Sequence, residues 1–145
     1  MELSAKSEYA LRALIEMAAA HDRSEPMRIR EVADRQQIPD RYLEQLLAVL
    51  RRGGLVRSQR GAKGGYLLAR EPWQISVLEI IRCIEGYEPT PVEPTRSGPS
   101  LESCLIQDLR QELVAAAEAV LDGYSLQALV DRRNDRLQAD IMYYI

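Results

Sequence analysis

The stretch from Pro39 to Ala69 constrains the fold more than any other part of the 145-residue chain. Pro39 suits the first turn of a helix, Leu43, Leu46, Leu47 and Leu50 recur at helical spacing, and Gly53-Gly54 ends the run. Two short apolar segments follow, Leu55-Val56-Arg57-Ser58 and Tyr66-Leu67-Leu68-Ala69, around the turn Arg60-Gly61-Ala62-Lys63-Gly64-Gly65. This order predicts a helix and then a β-hairpin. The other face of the helix shows Arg41, Tyr42, Glu44, Gln45, Ala48 and Arg52, the polar surface a helix needs to reach base edges in a major groove. Upstream, Ile29, Val32 and Ala33 mark a shorter helix, joined to the longer one through Gln36-Gln37-Ile38. Short helix, tight turn, second helix and hairpin together predict a winged helix-turn-helix.

Charge points the same way. The net charge is −3, yet residues 1–72 carry 13 Lys and Arg against 10 Asp and Glu, whereas 73–145 carry 6 against 12. Residues 51–70 hold Arg51, Arg52, Arg57, Arg60, Lys63 and Arg70 with no acidic residue, a density suited to a polyanion such as DNA. A solvated basic surface is the plainer reading of the same run. The glycines let the hairpin turn adopt positive φ, and Arg60 and Lys63 at its tip suit a minor groove or phosphates. A nucleotide-binding loop is disfavoured, because no helix follows Gly61-Ala62-Lys63-Gly64-Gly65 and the Gly-x-Gly-x-x-Gly and Walker spacings are missing.

Around this unit, Ser4 is a plausible cap for a first helix over about 5–20 with Leu11, Leu14, Ile15 and Ala18 on one face. His21 falls in a polar stretch and reads as a solvated loop residue. Ser76 caps a helix with Val77, Ile80, Ile81 and Ile84 facing the core and Cys83 at the stripe's edge, ended by Gly86. Residues 87–103, with Pro89, Pro91, Pro94 and Pro99, read as an exposed loop. Leu105, Leu109, Leu113, Ala116 and Val120, with Ile106 and Ala117 beside them, then make a long helix to Gly123. Such a stripe suits burial against a second subunit, with an intramolecular core helix as the other reading. Ser125 opens a short final helix with Leu126, Leu129 and Val130, and the apolar tail Met142-Tyr143-Tyr144-Ile145 is expected to dock. The expected fold class is mainly α with a small β-hairpin wing: a winged domain over 1–86, a flexible effector loop over 87–103, and a dimerisation helix and tail over 104–145.

Two cysteines and one histidine argue against zinc sites, disulfide frameworks and His-dependent catalysis, so an enzyme is not expected. A redox enzyme using Cys83 and Cys104 lacks both a Cys-x-x-Cys arrangement and an acid–base partner. No apolar run approaches the ~20 residues of a membrane span, and no signal or transit peptide is visible, which places the chain in the cytoplasm.

Ser7-Glu8-Tyr9-Ala10-Leu11, Tyr42-Leu43-Glu44-Gln45-Leu46-Leu47, Gly54-Leu55-Val56-Arg57-Ser58 and the run from Arg60 to Leu68 resemble the Rrf-two family of bacterial winged helix-turn-helix transcription regulators, of the IscR, NsrR and CymR type. The resemblance runs over almost the whole chain. It implies a homodimeric repressor-type regulator reading a pseudo-palindromic operator, with double-stranded DNA and a second copy of itself as partners. Arg41, Tyr42, Glu44 and Gln45 would be the recognition-helix contacts, Arg60 the wing's minor-groove arginine, and Arg52 and Lys63 further DNA contacts. Tyr42 is alternatively part-buried against the second helix, and Glu44 suits a cytosine amino group. A winged protein-interaction module without specific DNA binding is the alternative. Cluster-binding members hold a 2Fe–2S centre with three cysteines. Only Cys104 matches: Gly98 and Val92 stand six and twelve residues before it, and Gln107 replaces a histidine ligand. Glu8 stands where some members supply a carboxylate, so Cys104, Glu8 and Cys83 are the candidate sensor or cluster ligands, and no metal or cofactor is fixed. Thiol sensing at Cys104, or a small-molecule or protein effector, is the other expectation for the signal.

Overall fold

Ser4 opens the first helix by accepting a hydrogen bond on its hydroxyl from the Ser7 N–H (3.2 Å), which satisfies one of the free donors at a helix start. The computed structural model describes residues 3–86 and 100–143. In chain order they form α1 (Ala5–Ala19), α2 (Ile29–Gln36), α3 (Asp40–Arg52), β1 (Val56–Gln59), β2 (Gly65–Leu68), α4 (Val77–Glu85), α5 (Leu101–Asp122) and α6 (Leu126–Tyr143). Single 3-10 turns stand at His21–Arg23 and Pro72–Gln74. The strands pair antiparallel, Val56 opposite Leu68 and Gln59 opposite Gly65. This is the mainly helical, hairpin-bearing winged architecture expected from the sequence.

One core joins the elements. Ala10, Ala13, Leu14 and Met17 of α1 meet Val32 and Ala33 of α2, Leu43, Leu46, Leu47 and Leu50 of α3, Ile80 and Ile84 of α4, and Leu126 and Val130 of α6. The buried arc of α1 therefore centres on its alanines, with Leu11 and Ile15 at its margin. Alanine is a weak hydrophobic signal in a sequence, but its small side chain lets neighbouring helices approach closely.

Several boundaries differ from the expected ones. Pro39 is the residue before α3 rather than part of its first turn, with ψ 132°. The strands occupy 56–59 and 65–68 instead of 55–58 and 66–69, because Leu55 and Ala69 pair outside the ladder through the Ala69 N–H and Leu55 carbonyl (3.0 Å). Ser100 accepts from the Ser103 N–H and starts α5 at Leu101, so 101–103 are helical; the rest of the Pro-rich stretch, 87–99, lies outside the described residues. The final helix is long, 18 residues instead of a short segment. Its N-terminal part enters the core, while Met142 and Tyr143 at its other end are exposed; Tyr144 and Ile145 lie outside the described residues. His21 sits half-buried in a 3-10 turn, its Nε2 3.1 Å from Glu71 Oε2, and so is not a solvated loop residue.

Glu16 is a charged residue inside this apolar body, only 5% exposed. Its Oε1 accepts from Gln36 Nε2 (2.7 Å) and lies 3.5 Å from Arg133 of α6, and its Oε2 lies 3.6 Å from Arg35. A buried carboxylate is tolerated only when its oxygens are bonded in this way. Glu16→Ala is expected to lower stability by about 2–3 kcal/mol, the range for losing hydrogen bonds to a charged group, read as a shifted urea midpoint.

A second polar tie joins helix ends. Both Ser4 and Ser7 donate their hydroxyls to Glu85 Oε1 at the end of α4, the Ser7 bond at 2.7 Å. These two donors, with Lys6 nearby, hold the Glu85 carboxyl below its usual range despite a small opposing effect of burial. With the folded pKa lowered, the contribution is present above the unfolded carboxylate pKa of about 4.3 and is lost as pH falls through the folded value. The stability gap between the native chain and Ser7→Ala should therefore be open at pH 7 and close progressively below pH ~4 in denaturation series.

Candidate nucleic-acid interface

Helix α3 is pinned by four buried leucines on one side, which turns Arg41, Glu44, Gln45 and Arg52 outward. Each of these four is exposed. Tyr42 is half-buried, and its ring meets Tyr9 of α1 edge-on, centroids 5.5 Å apart and planes at 81°. Its ring thus packs on the first helix. Arg12 extends this contact: its guanidinium carbon lies 5.3 Å from the Tyr9 ring centre, and it donates to the Gln36 side chain (3.2 Å) and to the Gln36 carbonyl. Gln37 follows in the left-handed region, φ 54°, and turns the chain into α3. The turn between α2 and α3 is thereby tied to α1 on the same side chain that reaches Glu16.

The wing projects beside α3, with Arg51 Nη1 3.5 Å from the Ser58 hydroxyl of β1. Arg57, Arg60 and Lys63 are exposed along it. Its base is held from an unexpected side. Met27, just before α2, exchanges both backbone hydrogen bonds with Tyr66 (3.0 and 2.8 Å), and Arg28 donates to the Ala62 carbonyl at the tip (2.6 Å). A Cβ on Gly65 would lie 2.4 Å from the Met27 carbonyl oxygen, so glycine is required for this approach. Gly61, at φ +119°, makes the turn itself. Sequence reasoning missed Arg28 because a lone arginine before a helix carries no periodic signal. It also overcounted the basic run: Arg70 donates to Glu79 of α4 and is engaged away from the tip.

The candidate sensor residues lie in different places. Glu8 is exposed on α1, Cys83 is half-buried on α4, and Cys104 is half-buried in the first turns of α5. Cys83 Sγ lies 3.6 Å from the Val49 carbonyl oxygen, and burial, reinforced by Glu79, pushes its thiol pKa up. That disfavours the thiolate needed for metal ligation or oxidation. Among the described residues no three His, Cys, Asp or Glu side chains gather into a ligand set. With two cysteines in the chain, both of them half-buried, the thiolates are fewer than the four that hold a 2Fe–2S cluster.

The family model described as Rrf2, iron-dependent transcriptional regulator, matches residues 3–132. The chain belongs to the Rrf2 family. It is 35% identical over 145 residues to the HTH-type transcriptional regulator CymR of Bacillus subtilis, covering all of both chains. The solved structure of CymR (YrzC), the global cysteine regulator of B. subtilis, superposes with a TM-score of 0.76 over 91% of this chain and 98% of that one. T. potens IscR superposes with a TM-score of 0.75 at 34% identity, over 92% of this chain and 88% of that one. A putative HTH-type regulator of Synechocystis sp., slr0846, is 45% identical over 92 residues, 63% of this chain and 62% of its own length. This Rrf2-family chain is therefore a DNA-binding transcriptional regulator, and its relatives are regulators rather than enzymes. Among the described residues no helix is long and apolar enough to cross a membrane.

Gly65→Ala forces the wing away from Met27 and is expected to cost about 1–3 kcal/mol, the range for overpacking. In amide exchange the loss of protection should concentrate at Met27, Tyr66 and their strand neighbours.

Proposed function

We propose that this regulator acts as a homodimer that reads a pseudo-palindromic operator in double-stranded DNA. The observation that carries the reading is the division of α3: four leucines buried, and Arg41, Glu44, Gln45 and Arg52 exposed beside a basic wing. In this reading Arg41 and Gln45 donate to base edges, Glu44 accepts from a cytosine amino group, and Arg52 and Lys63 meet phosphates. Arg60 enters the minor groove from the wing. Tyr42, half-buried on Tyr9, fixes the angle at which α3 presents these side chains.

The dimer rests on α5. That helix buries none of its residues within the chain, although Leu101, Leu105, Leu109 and Leu113 recur every fourth position and are 75, 60, 53 and 62% exposed. So long an exposed apolar stripe favours a covering surface, and an isologous pair supplies the same stripe twice. Two copies related by a two-fold axis would place their recognition helices on half-sites about 34–36 Å apart. Operator occupancy by the dimer gives repression its simplest mechanism. Of the two thiols, Cys104 is the redox candidate, since burial makes Cys83 the less reactive.

A mobility-shift titration against the chain's own upstream DNA, paired with light scattering, tests this reading. The expected result is a dimer with sequence-dependent binding. Arg60→Ala should weaken specific binding by about 1–3 kcal/mol while the dimer persists. Sequence-independent affinity at physiological salt would instead favour a protein-binding module, and a monomer would refute the two-fold arrangement.

A further inference from the structure

We propose that a cavity of about 290 Å³ between α1, α4 and α5 is a binding site for a small amphipathic monocation, a primary ammonium carried on a compact hydrocarbon body. Its side walls are apolar, formed by Leu78 and Ile81 of α4 and by Val114 and Leu121 of α5. Such walls recognise hydrocarbon, and the small volume limits its size. At its mouth stands Glu85, exposed to solvent, whose Oε1 is held by the Ser4 and Ser7 hydroxyls described above. Its Oε2 makes no hydrogen bond among the described residues. A carboxylate fixed through one oxygen and open at the other is pre-organised for a donor, and the serines keep it anionic.

Charge decides which donor. Arg82 and Glu118 at the rim neutralise each other as an ion pair at 3.0 Å, so the lining side chains carry a net charge of −1. Lys6 acts on Glu85 but does not line the cavity. An anion would be repelled by the Glu85 carboxylate, and a neutral molecule would gain no charge attraction from it. A monocation with an apolar body satisfies both the wall and the charge. The inference goes beyond the DNA-binding reading and does not require it, because none of the proposed DNA-contacting residues lines the cavity.

The test uses the full chain without DNA, titrated with n-pentylammonium chloride and, separately, with 1-pentanol, while methyl resonances are followed by NMR. Saturable shifts confined to Leu78, Ile81, Val114 and Leu121 are expected, with the ammonium binding about tenfold tighter than the alcohol. Glu85→Gln keeps an acceptor for the two serines and should remove that preference. Val114→Trp fills the cavity from α5 and should abolish both titrations, giving a second readout if the Glu85 variant folds poorly. Silent methyls, equal affinity for pentanol, or shifts that survive Val114→Trp would overturn the proposal. So would intermolecular NOEs, in a mixed-label sample, showing that a second copy's side chains already fill the cavity.

Discussion

The buried carboxylate of Glu16 holds the DNA-reading elements in one arrangement. It belongs to α1, yet its partners come from the end of α2 and the middle of α6. Gln36, one of those partners, is the residue at which α2 ends, and Arg12 grips the same side chain from the other direction. The direction in which α3 leaves the turn is thus set by a polar network anchored on α1. Apolar packing supplies most of the favourable free energy of such a core, but it is non-directional. Hydrogen bonds to a buried charge are directional, and a misplaced helix would leave them unmade at high cost.

The same body shows two kinds of helix surface. α1 to α4 bury their apolar faces within the chain, and the start of α6 joins them, whereas α5 leaves Leu101, Leu105, Leu109 and Leu113 in solvent. The apolar positions Leu137 and Ile141 extend the α6 stripe of Leu126 and Val130 past the edge of the core and are exposed as well. α5 touches the body mainly at α4, through the Arg82–Glu118 pair and the cavity walls. The core-forming unit is thus joined sparsely to a long helix.

The winged unit was legible in the sequence because its signals are local. Leucine spacing, the paired glycines and the basic residues of the wing each state a preference that the tertiary structure leaves standing. Exposure of Arg41, Glu44, Gln45, Arg60 and Lys63 follows from the same periodicity. What escaped were contacts between residues far apart in sequence. Arg70 looks like a phosphate ligand until Glu79 is seen beside it, and Met27 looks like a loop residue until it pairs with Tyr66. Glu16 had no marker at all, since one glutamate in an amphipathic helix reads as solvated. The buried arc of α1 was displaced for a related reason, because alanines register weakly against leucine and isoleucine.

The sequence by itself determined which segments become helices and strands, which glycines turn the wing, and which side chains α3 turns to solvent. Those outcomes depend on short-range sterics and on the period of the apolar pattern, both written in neighbouring residues. Only the tertiary structure decided that Tyr42 rests on Tyr9, that α6 contributes to the core, that Glu16 is buried and bonded, and that Glu85 stands pinned at the mouth of an apolar cavity. Each of these pairs groups from distant parts of the chain, and a pairing exists only once the intervening elements have packed.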